Sequence, residues 1–583
     1  MLQVGTLEIH AIAQSHLDTA WLWNFDVSKR KIKTTFGNNV KRLKRYKNYK
    51  FTASAPAHLA FLEKEEPELF SEIKTLIAKG KWEPIGGMWV ESDLVIPDGE
   101  SLIRQRLYGQ RYYLEKFDLL PRIAWTPDVF GFPACMPQIY KKSGAEFFYT
   151  TKLTWNLQNK FPFAIFNWEG PDGSSIIAMN WGYGINKTGL IKEYPDATRL
   201  LDPNLSSSEK KFNYCDDVDA STLEQSGRFT KEHIKEYMFC YGQGDGGNGP
   251  YESEIIVLDN LTKLVKSAKQ TTAEEFFSKL EKYAGKLPTW NDELYLEVHR
   301  GCPTTHNDLK YFNKKCEVAL NQIEKLASLA MCSGFIYPYA QLKDAWKKVL
   351  FNQFHDILPG SGIQHIYYGP ACRYSLKDYR ETLEICEKIQ ESIIKYFVSN
   401  NDIHNSDIYC IFFPNQWKKP QIVEMPENFE NKPLLKLNGP DNQLLIGQLT
   451  TDVDSGKQVY RFTASNPSGI GMATYKLQSN PLNQKNLETN WIIENAKEYI
   501  VYSNRYYKVS VSKKDGSIQE LYIANKKANL VNNGLNLLRT FDDRPKGNDA
   551  WNIDETYRSK PLKLFSVRNV AIIEEGRVYC KIR

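Results

Sequence analysis

Ten cysteines are scattered along this 583-residue chain, and no two of them form a C-x-x-C pair. That spacing excludes a zinc knuckle and a compact disulfide framework. No apolar run approaches the roughly 20 residues that cross a bilayer. No basic leader followed by an apolar stretch opens the sequence. An excess of one charge is also missing, since 75 basic and 69 acidic residues leave a net +6. That balance gives no electrostatic case for a nucleic-acid partner. The densest basic run, at 41–47, reads as a solvated helix face. Repeats and low-complexity tracts are absent. The expectation is a protein of the reducing cytoplasm with neither membrane nor nucleic acid as partner. Homo-oligomerisation stays open.

What is present is apolar and aromatic content sufficient for large cores. The length points to roughly three or four domains. From residue 1 to about 250, strands alternate with helices. Strands are expected at 50–54, 122–125, 146–150 and 236–241, and helices at about 57–78 and 99–115. The stretch 81–91 reads as a strand running into a Gly-Gly turn with an aromatic and a carboxylate beyond it. Regular alternation of this kind implies a parallel sheet or barrel, with chemistry gathered at the carboxyl ends of the strands. Between 251 and 399 the pattern turns helical: 251–269, 273–283, 309–332, 342–354 and 376–396 read as a bundle, interrupted near 294–305. From 400 to 583, short alternating runs between Asn, Gly and Pro turns read as β-sandwich. The last residues lie inside an apparent strand, so the β region is expected to be incomplete.

Four polar clusters follow strand-like runs or end a helix. His16 and Asp18 follow the alternating run 7–13, and a strand would turn both side chains the same way. An imidazole and a carboxylate so placed make half of a divalent-metal site. Taken alone, the pair fits equally a strand-end turn. Trp21 and Trp23 come next and offer flat faces on which a sugar can stack. Asp128 follows Pro127 at the end of 122–125, where a carboxylate serves as nucleophile, ligand or helix cap. Asp245 sits in a glycine-dense loop, Tyr241 to Pro250, which lacks the Gly-Lys-Ser/Thr of a phosphate loop and the EF-hand pattern. A loop presenting one carboxylate to a small polar ligand fits it better. His355 and Asp356 end a helix, where the histidine either caps the helix dipole or supplies a second imidazole.

Eight motifs then occur in order: H-L-D-T-A-W-L-W from His16, W-E-P-I-G-G-M-W-V-E from Trp82, G-E-S-L-I-R-Q from Gly99, W-T-P-D-V-F-G-F from Trp125, K-L-T-W-N from Lys152, Y-G-Q-G-D-G-G-N-G-P from Tyr241, L-Y-L-E-V-H-R-G from Leu294 and N-Q-F-H-D-I-L-P-G-S from Asn352. Together they resemble the α-mannosidases of glycoside hydrolase family 38, in particular the cytosolic and vacuolar subgroup. The resemblance runs from about Ile9 to Ile366. It implies a multidomain α/β plus α plus β protein: a (β/α)7-type barrel over 1–250, a helical bundle completing the site over 251–399, and incomplete β-sandwich material over 400–583.

The resemblance also implies roles. Zinc, or another divalent ion such as cobalt, would be held by His16, Asp18, Asp128 and His355. Asp128 would be the nucleophile of a retaining double displacement, and Asp245 its acid/base partner. Trp21 would wall the sugar, with Asp356, His299 and Arg300 near its hydroxyls. The substrate class would be oligosaccharides with terminal α-linked mannose. Three departures stand out: the first motif begins almost at once, Ser54-Ala55-Pro56-Ala57 lacks a usual Gln, and Asn248 replaces a common Gly. A metal-dependent carbohydrate deacetylase is one alternative, using the metal on water and needing no nucleophilic Asp. A truncated, non-catalytic carbohydrate-binding protein is the other.

Overall fold

The computed structural model describes residues 8–180, 234–264, 268–367, 374–400, 408–417, 421–425, 434–439, 444–451, 456–464, 469–478, 491–563, 566–575 and 580–583. They form two compact units, each with its own cores. The first comprises Met1–Asn321, Tyr339–Glu387 and Pro545–Ile553.

In the first unit, strand β1 (Glu8–Ala13) leads into helix α1 (Phe25–Arg45), which Asn24 caps by accepting the Val27 N–H at 3.2 Å. Strand β2 (Phe51–Ala53) follows, but the helix expected over 57–78 is two helices, α2 (Pro56–Glu65) and α3 (Pro67–Ala78). Pro67 is the cause. It has no N–H and drives the preceding Glu66 to φ −139°, outside the helical region. Strand β3 spans Trp82–Pro84 and runs into the expected Gly-Gly turn. Pro84 ends it, and Gly86 and Gly87 turn the chain at φ +88° and +79°.

Helix α4 (Gly99–Phe117), β4 (Ile123–Trp125), α5 (Met136–Lys142), β5 (Phe147–Thr150), β6 (Ile165–Glu169), β7 (Ser175–Asn180) and β8 (Glu236–Tyr241) continue the alternation. The helix read over 251–269 is described over Glu252–Leu264 (α6). Residues Ala268–Gln270 instead form β9, parallel to β1. After helix α7 (Ala273–Leu280), β10 (Thr289–Trp290) pairs with β6. Strand pairing therefore continues past residue 250.

Sheet orders are β8-β1-β9, β2-β3 and β10-β6-β7-β5-β4. Every strand pairing in these sheets is parallel except β6 with β7. The four residues of β5 are all buried, as a strand covered on both faces must be. Its alternation splits two cores: Phe147 and Tyr149 pack with Trp125, Met238 and Phe277, while Phe148 packs with Val129, Phe132 and Trp168. The parallel strands thus share a common direction, and the polar clusters follow their carboxyl ends. Helices α8 (Asn307–Cys332), α9 (Tyr339–Asn352) and α10 (Tyr374–Asn400) supply the helical stretch.

The second unit comprises Gln322–Pro338, Lys388–Arg544 and Asp554–Arg583. It contains a six-stranded and a five-stranded antiparallel sheet, each with a separate cluster around Tyr460 and Phe462 or around Ile500 and Tyr502.

Candidate active site

Beyond Ala13 the chain stays extended long enough for Gln14 to bridge Thr52. Leu17 then bridges Gly246, and the Asp18 N–H donates to the Asp245 carbonyl at 2.9 Å. These contacts clamp the first motif against the glycine loop. Glycine is required in that loop because backbone meets backbone there. At Gly242 a Cβ would overlap the Gln14 carbonyl, and at Gly247 it would overlap Thr35. Asp245 itself adopts φ +50° and faces outward at the rim.

His16 Nε2 lies 2.9 Å from Asp18 Oδ1, and His355 Nε2 lies 3.5 Å from the same oxygen. Asp128 Oδ2 stands 3.8 Å from His355 Nε2. The two imidazoles stack with centroids 5.5 Å apart. His16, Asp18 and His355 are all buried and turn one donor atom each toward a common point. The tautomer of His355 is fixed, because its Nδ1 donates to the Glu91 carbonyl at 2.8 Å. Its Nε2 is buried without a hydrogen-bond partner. A lone pair aimed at two carboxylates and a second imidazole fits a divalent cation of the zinc type. Of the four residues expected together, His16, Asp18 and His355 share one donor group, and Asp128 adjoins it through His355 Nε2 at 3.8 Å.

The electrostatics agree with that fit. Burial works to raise Asp18, but the His16 and His355 imidazoles outweigh it and hold the carboxyl below the usual range. Burial works to lower His16 and His355, and the surrounding carboxylates overcome it, raising both. Burial and the Asp18 charge push Asp356 up; its Oδ2 is 3.9 Å from His355 Nε2, and its other oxygen accepts from Ser361. Burial likewise raises Asp245, helped by Asp18 and Asp128 and opposed by His16 and Lys152. A carboxyl whose pKa is raised is better suited to donate a proton than an ordinary one. Among the described residues, no hydrogen bond holds its side chain.

Three further residues complete the site. Lys152, two residues beyond β5, sets its ammonium 2.6 Å from Asp128 Oδ1. Glu91 lies 3.1 Å from His16 Nδ1. Trp551 arrives from far along the chain, where its carbonyl accepts the Gly301 N–H at 2.8 Å. Its ring stacks on His299 at 4.9 Å and on Trp21 at 6.5 Å. Phe130 also stacks on His299, at 4.0 Å, and its ring lies 6.3 Å from that of Trp551. Both ring nitrogens of His299 are buried and unpartnered, and burial first, then Lys152 and His355, keep it neutral by lowering it well below the ordinary range. Lys152 was visible only as part of K-L-T-W-N, and nothing local marks Trp551. Arg300 Nε donates to the Glu297 carbonyl at 2.8 Å, and no contact among the described residues joins it to the cluster.

A second grouping, Glu8, His10 and Glu236, lies at the opposite ends of β1 and β8. Lys282 is 2.9 Å from Glu236, and Lys279 pairs with Glu8, so lysines already supply the positive charge there.

Comparison with known proteins agrees with this arrangement. Residues 6–293 match the glycosyl hydrolases family 38 N-terminal domain, 297–397 the alpha mannosidase middle domain, and 502–583 the glycosyl hydrolases family 38 C-terminal domain. Alpha-mannosidase G of Dictyostelium discoideum is 29% identical over 99% of this chain and 52% of its own length. Alpha-mannosidase of Saccharomyces cerevisiae is 30% identical over 75% of this chain and 39% of its own. Alpha-mannosidase 2C1 of Homo sapiens is 34% identical over 64% of this chain and 34% of its own. The chain therefore spans about half, or less, of the length of these relatives. Among solved structures, an alpha-mannosidase from Enterococcus faecalis V583 shares the fold, with a TM-score of 0.71 at 14% identity over 99% of this chain and 67% of its own.

Proposed function

This chain belongs to glycosyl hydrolase family 38, and from that premise we propose that it is a metal-dependent, retaining α-mannosidase acting on terminal α-linked mannose of oligosaccharides. The observation that carries the reading is the convergence of His16, Asp18, Asp128 and His355, with His355 Nε2 buried and unpartnered among them. The ion is zinc or a similar divalent metal such as cobalt, suited by two imidazoles and two carboxylates. When bound, it supplies positive charge and a template for the sugar hydroxyls.

The chain's own groups do the rest. One Asp128 oxygen attacks the anomeric carbon as the glycosidic C–O bond breaks. The departing oxygen keeps the bonding pair and takes the Asp245 proton. Asp245, now a carboxylate, removes a proton from water as that water displaces Asp128. Lys152 beside Asp128 Oδ1 stabilises the carboxylate before attack and again as it leaves. Trp21 and Trp551 present apolar faces to the sugar, and His299 and Asp356 offer polar atoms to its hydroxyls. Arg300 is read as a more distant contributor near the same wall.

Cytoplasmic residence goes with this reading. Cys135, Cys240, Cys302, Cys316, Cys332 and Cys410 are free, and among the described residues no helix is long and apolar enough to cross a membrane. The test is covalent trapping. A fluorinated mannosyl substrate should label the protein stoichiometrically, and the label should map to Asp128. A chain that turns over an acetylated sugar instead, without labelling, would be a deacetylase.

A further inference from the structure

Glu91 lies against both imidazoles at once, through different parts of the residue. Its peptide carbonyl accepts two bonds from His355, from the backbone N–H at 3.2 Å and from ring Nδ1 at 2.8 Å. Its carboxylate turns the other way, with Oε2 3.1 Å from His16 Nδ1, within ion-pair range but outside hydrogen-bond geometry. The second carboxylate oxygen accepts from the Ser54 hydroxyl. Glu91 is 5% exposed, so water does not compete for these contacts. Its backbone is held on both sides: Ser92 bridges Phe354, and the Asp93 N–H donates to the Gln353 carbonyl at 2.8 Å.

We propose that Glu91 is the positioning residue for both imidazole ligands, its carbonyl setting His355 and its carboxylate, held by Ser54, setting His16. The inference rests on the reading of His16 and His355 as metal ligands. Glu91 is not a ligand itself. In His16 the nitrogen toward Asp18 is Nε2, whereas Glu91 faces Nδ1 on the other side of the ring. Nor is it the proton donor to substrate, because its carboxylate is enclosed between His16 and Ser54. An imidazole that binds a cation through Nε2 keeps its proton on Nδ1. A carboxylate facing that proton fixes the tautomer, stops ring rotation and strengthens the donor nitrogen. The sequence position explains the economy. Glu91 sits just past the Gly86-Gly87 turn that follows β3, and the 90–93 segment runs alongside the chain that ends in His355.

The test is the zinc dissociation constant, read by competition with a chromophoric chelator. It is measured for the wild-type chain and for Glu91→Gln, Ser54→Ala and His16→Ala. Removing the charge in Glu91→Gln should weaken zinc by about 10–100-fold, the range found for lost outer partners of ligating histidines. Ser54→Ala should weaken it less, because Glu91 keeps its charge. The cobalt-loaded wild type should show two exchange-protected, paramagnetically shifted Nδ1–H resonances. Glu91→Gln should lose protection of one and leave the His355 resonance, bonded to the carbonyl, in place. If Glu91→Gln and Ser54→Ala bind zinc like wild type while His16→Ala does not, the positioning role is wrong and the ligand reading survives. If His16→Ala also binds like wild type, the ligand reading fails and takes this inference with it. If Glu91→Gln does not fold, a wild-type cobalt spectrum with only one protected Nδ1–H overturns the proposal.

Discussion

Lys152 and Asp128 form an ion pair at 2.6 Å in which the lysine side chain is 3% exposed and the aspartate 22%. The ammonium also lies 3.9 Å from the Trp155 ring centre. The pair is lopsided: the cation is fixed in the wall, and the carboxylate remains open toward ligand. Lys152→Met keeps the stem and removes the charge. The expected result is a fall in kcat of about 10²–10³, as for loss of one preorganised group beside developing charge. Metal content should stay near wild type. Steady-state kinetics with elemental analysis checks this, and an unchanged kcat would leave Lys152 a purely structural cation.

Asp245 is expected to act as acid and then base. Its pKa is raised, chiefly by burial, so the proton is retained to higher pH than on an ordinary carboxyl. The alkaline limb of kcat/KM should therefore depend on it and shift or vanish in Asp245→Asn. In Asp245→Ala, an activated aryl mannoside should lose far less of its first step than a disaccharide. External azide should restore turnover and yield α-mannosyl azide. Neither leaving-group dependence nor azide rescue would mean that Asp245 shapes the pocket only. Asp356 would then be the next carboxyl to test, since Glu91 is enclosed by His16 and Ser54.

Much of the candidate cluster was readable because His16, Asp18, Asp128 and His355 each lie in a short motif at an element end. The strand 236–241 was readable as a short apolar and aromatic run before the glycine loop. The break at Pro67 was also in plain view, but apolar periodicity on both sides concealed it. The strand at 268–270 is three residues long, and only its pairing with β1 separates it from a helix end. The roles of Glu91, Lys152 and Trp551 come from side chains meeting across distant segments. No spacing rule encodes such meetings, and for Trp551 the partner segment is at Gly301.

Trp551 offers a test of that long-range contribution. Its ring extends the Trp21 and His299 faces and contacts none of the four ligand residues in the described structure. Trp551→Ala should raise KM by up to about tenfold, from the roughly 0.5–1.5 kcal/mol of an aromatic face. Its kcat on an activated aryl mannoside should change little. A fall in kcat at constant KM would place the ring's effect on the chemical step instead.

Stability should respond to pH through Asp378, which is half-buried, accepts the Asn352 amide at 2.8 Å and is raised from 3.8 to about 6, chiefly by desolvation. The folded state favours the neutral carboxyl. Its contribution is therefore complete below the unfolded pKa near 3.8 and is lost as pH rises through about 6. The shift corresponds to about 3 kcal/mol. Asp378→Asn should melt higher than wild type at pH 7–8 and close to it near pH 4. Equal differences at both pH values would remove Asp378 from the pH dependence.

The most direct measurement is turnover of an aryl α-mannoside before chelation, after it, and after zinc or cobalt is added back, with metal counted at each stage. The wild-type chain should hold about one metal ion per chain, as a single shell of two imidazoles and two carboxylates implies. It should lose activity and metal together and recover both. His355→Ala and His16→Ala should neither hold metal nor recover. Full turnover by chelated, metal-free protein, or stoichiometric metal retained in His355→Ala, would contradict the metal-dependent site described here.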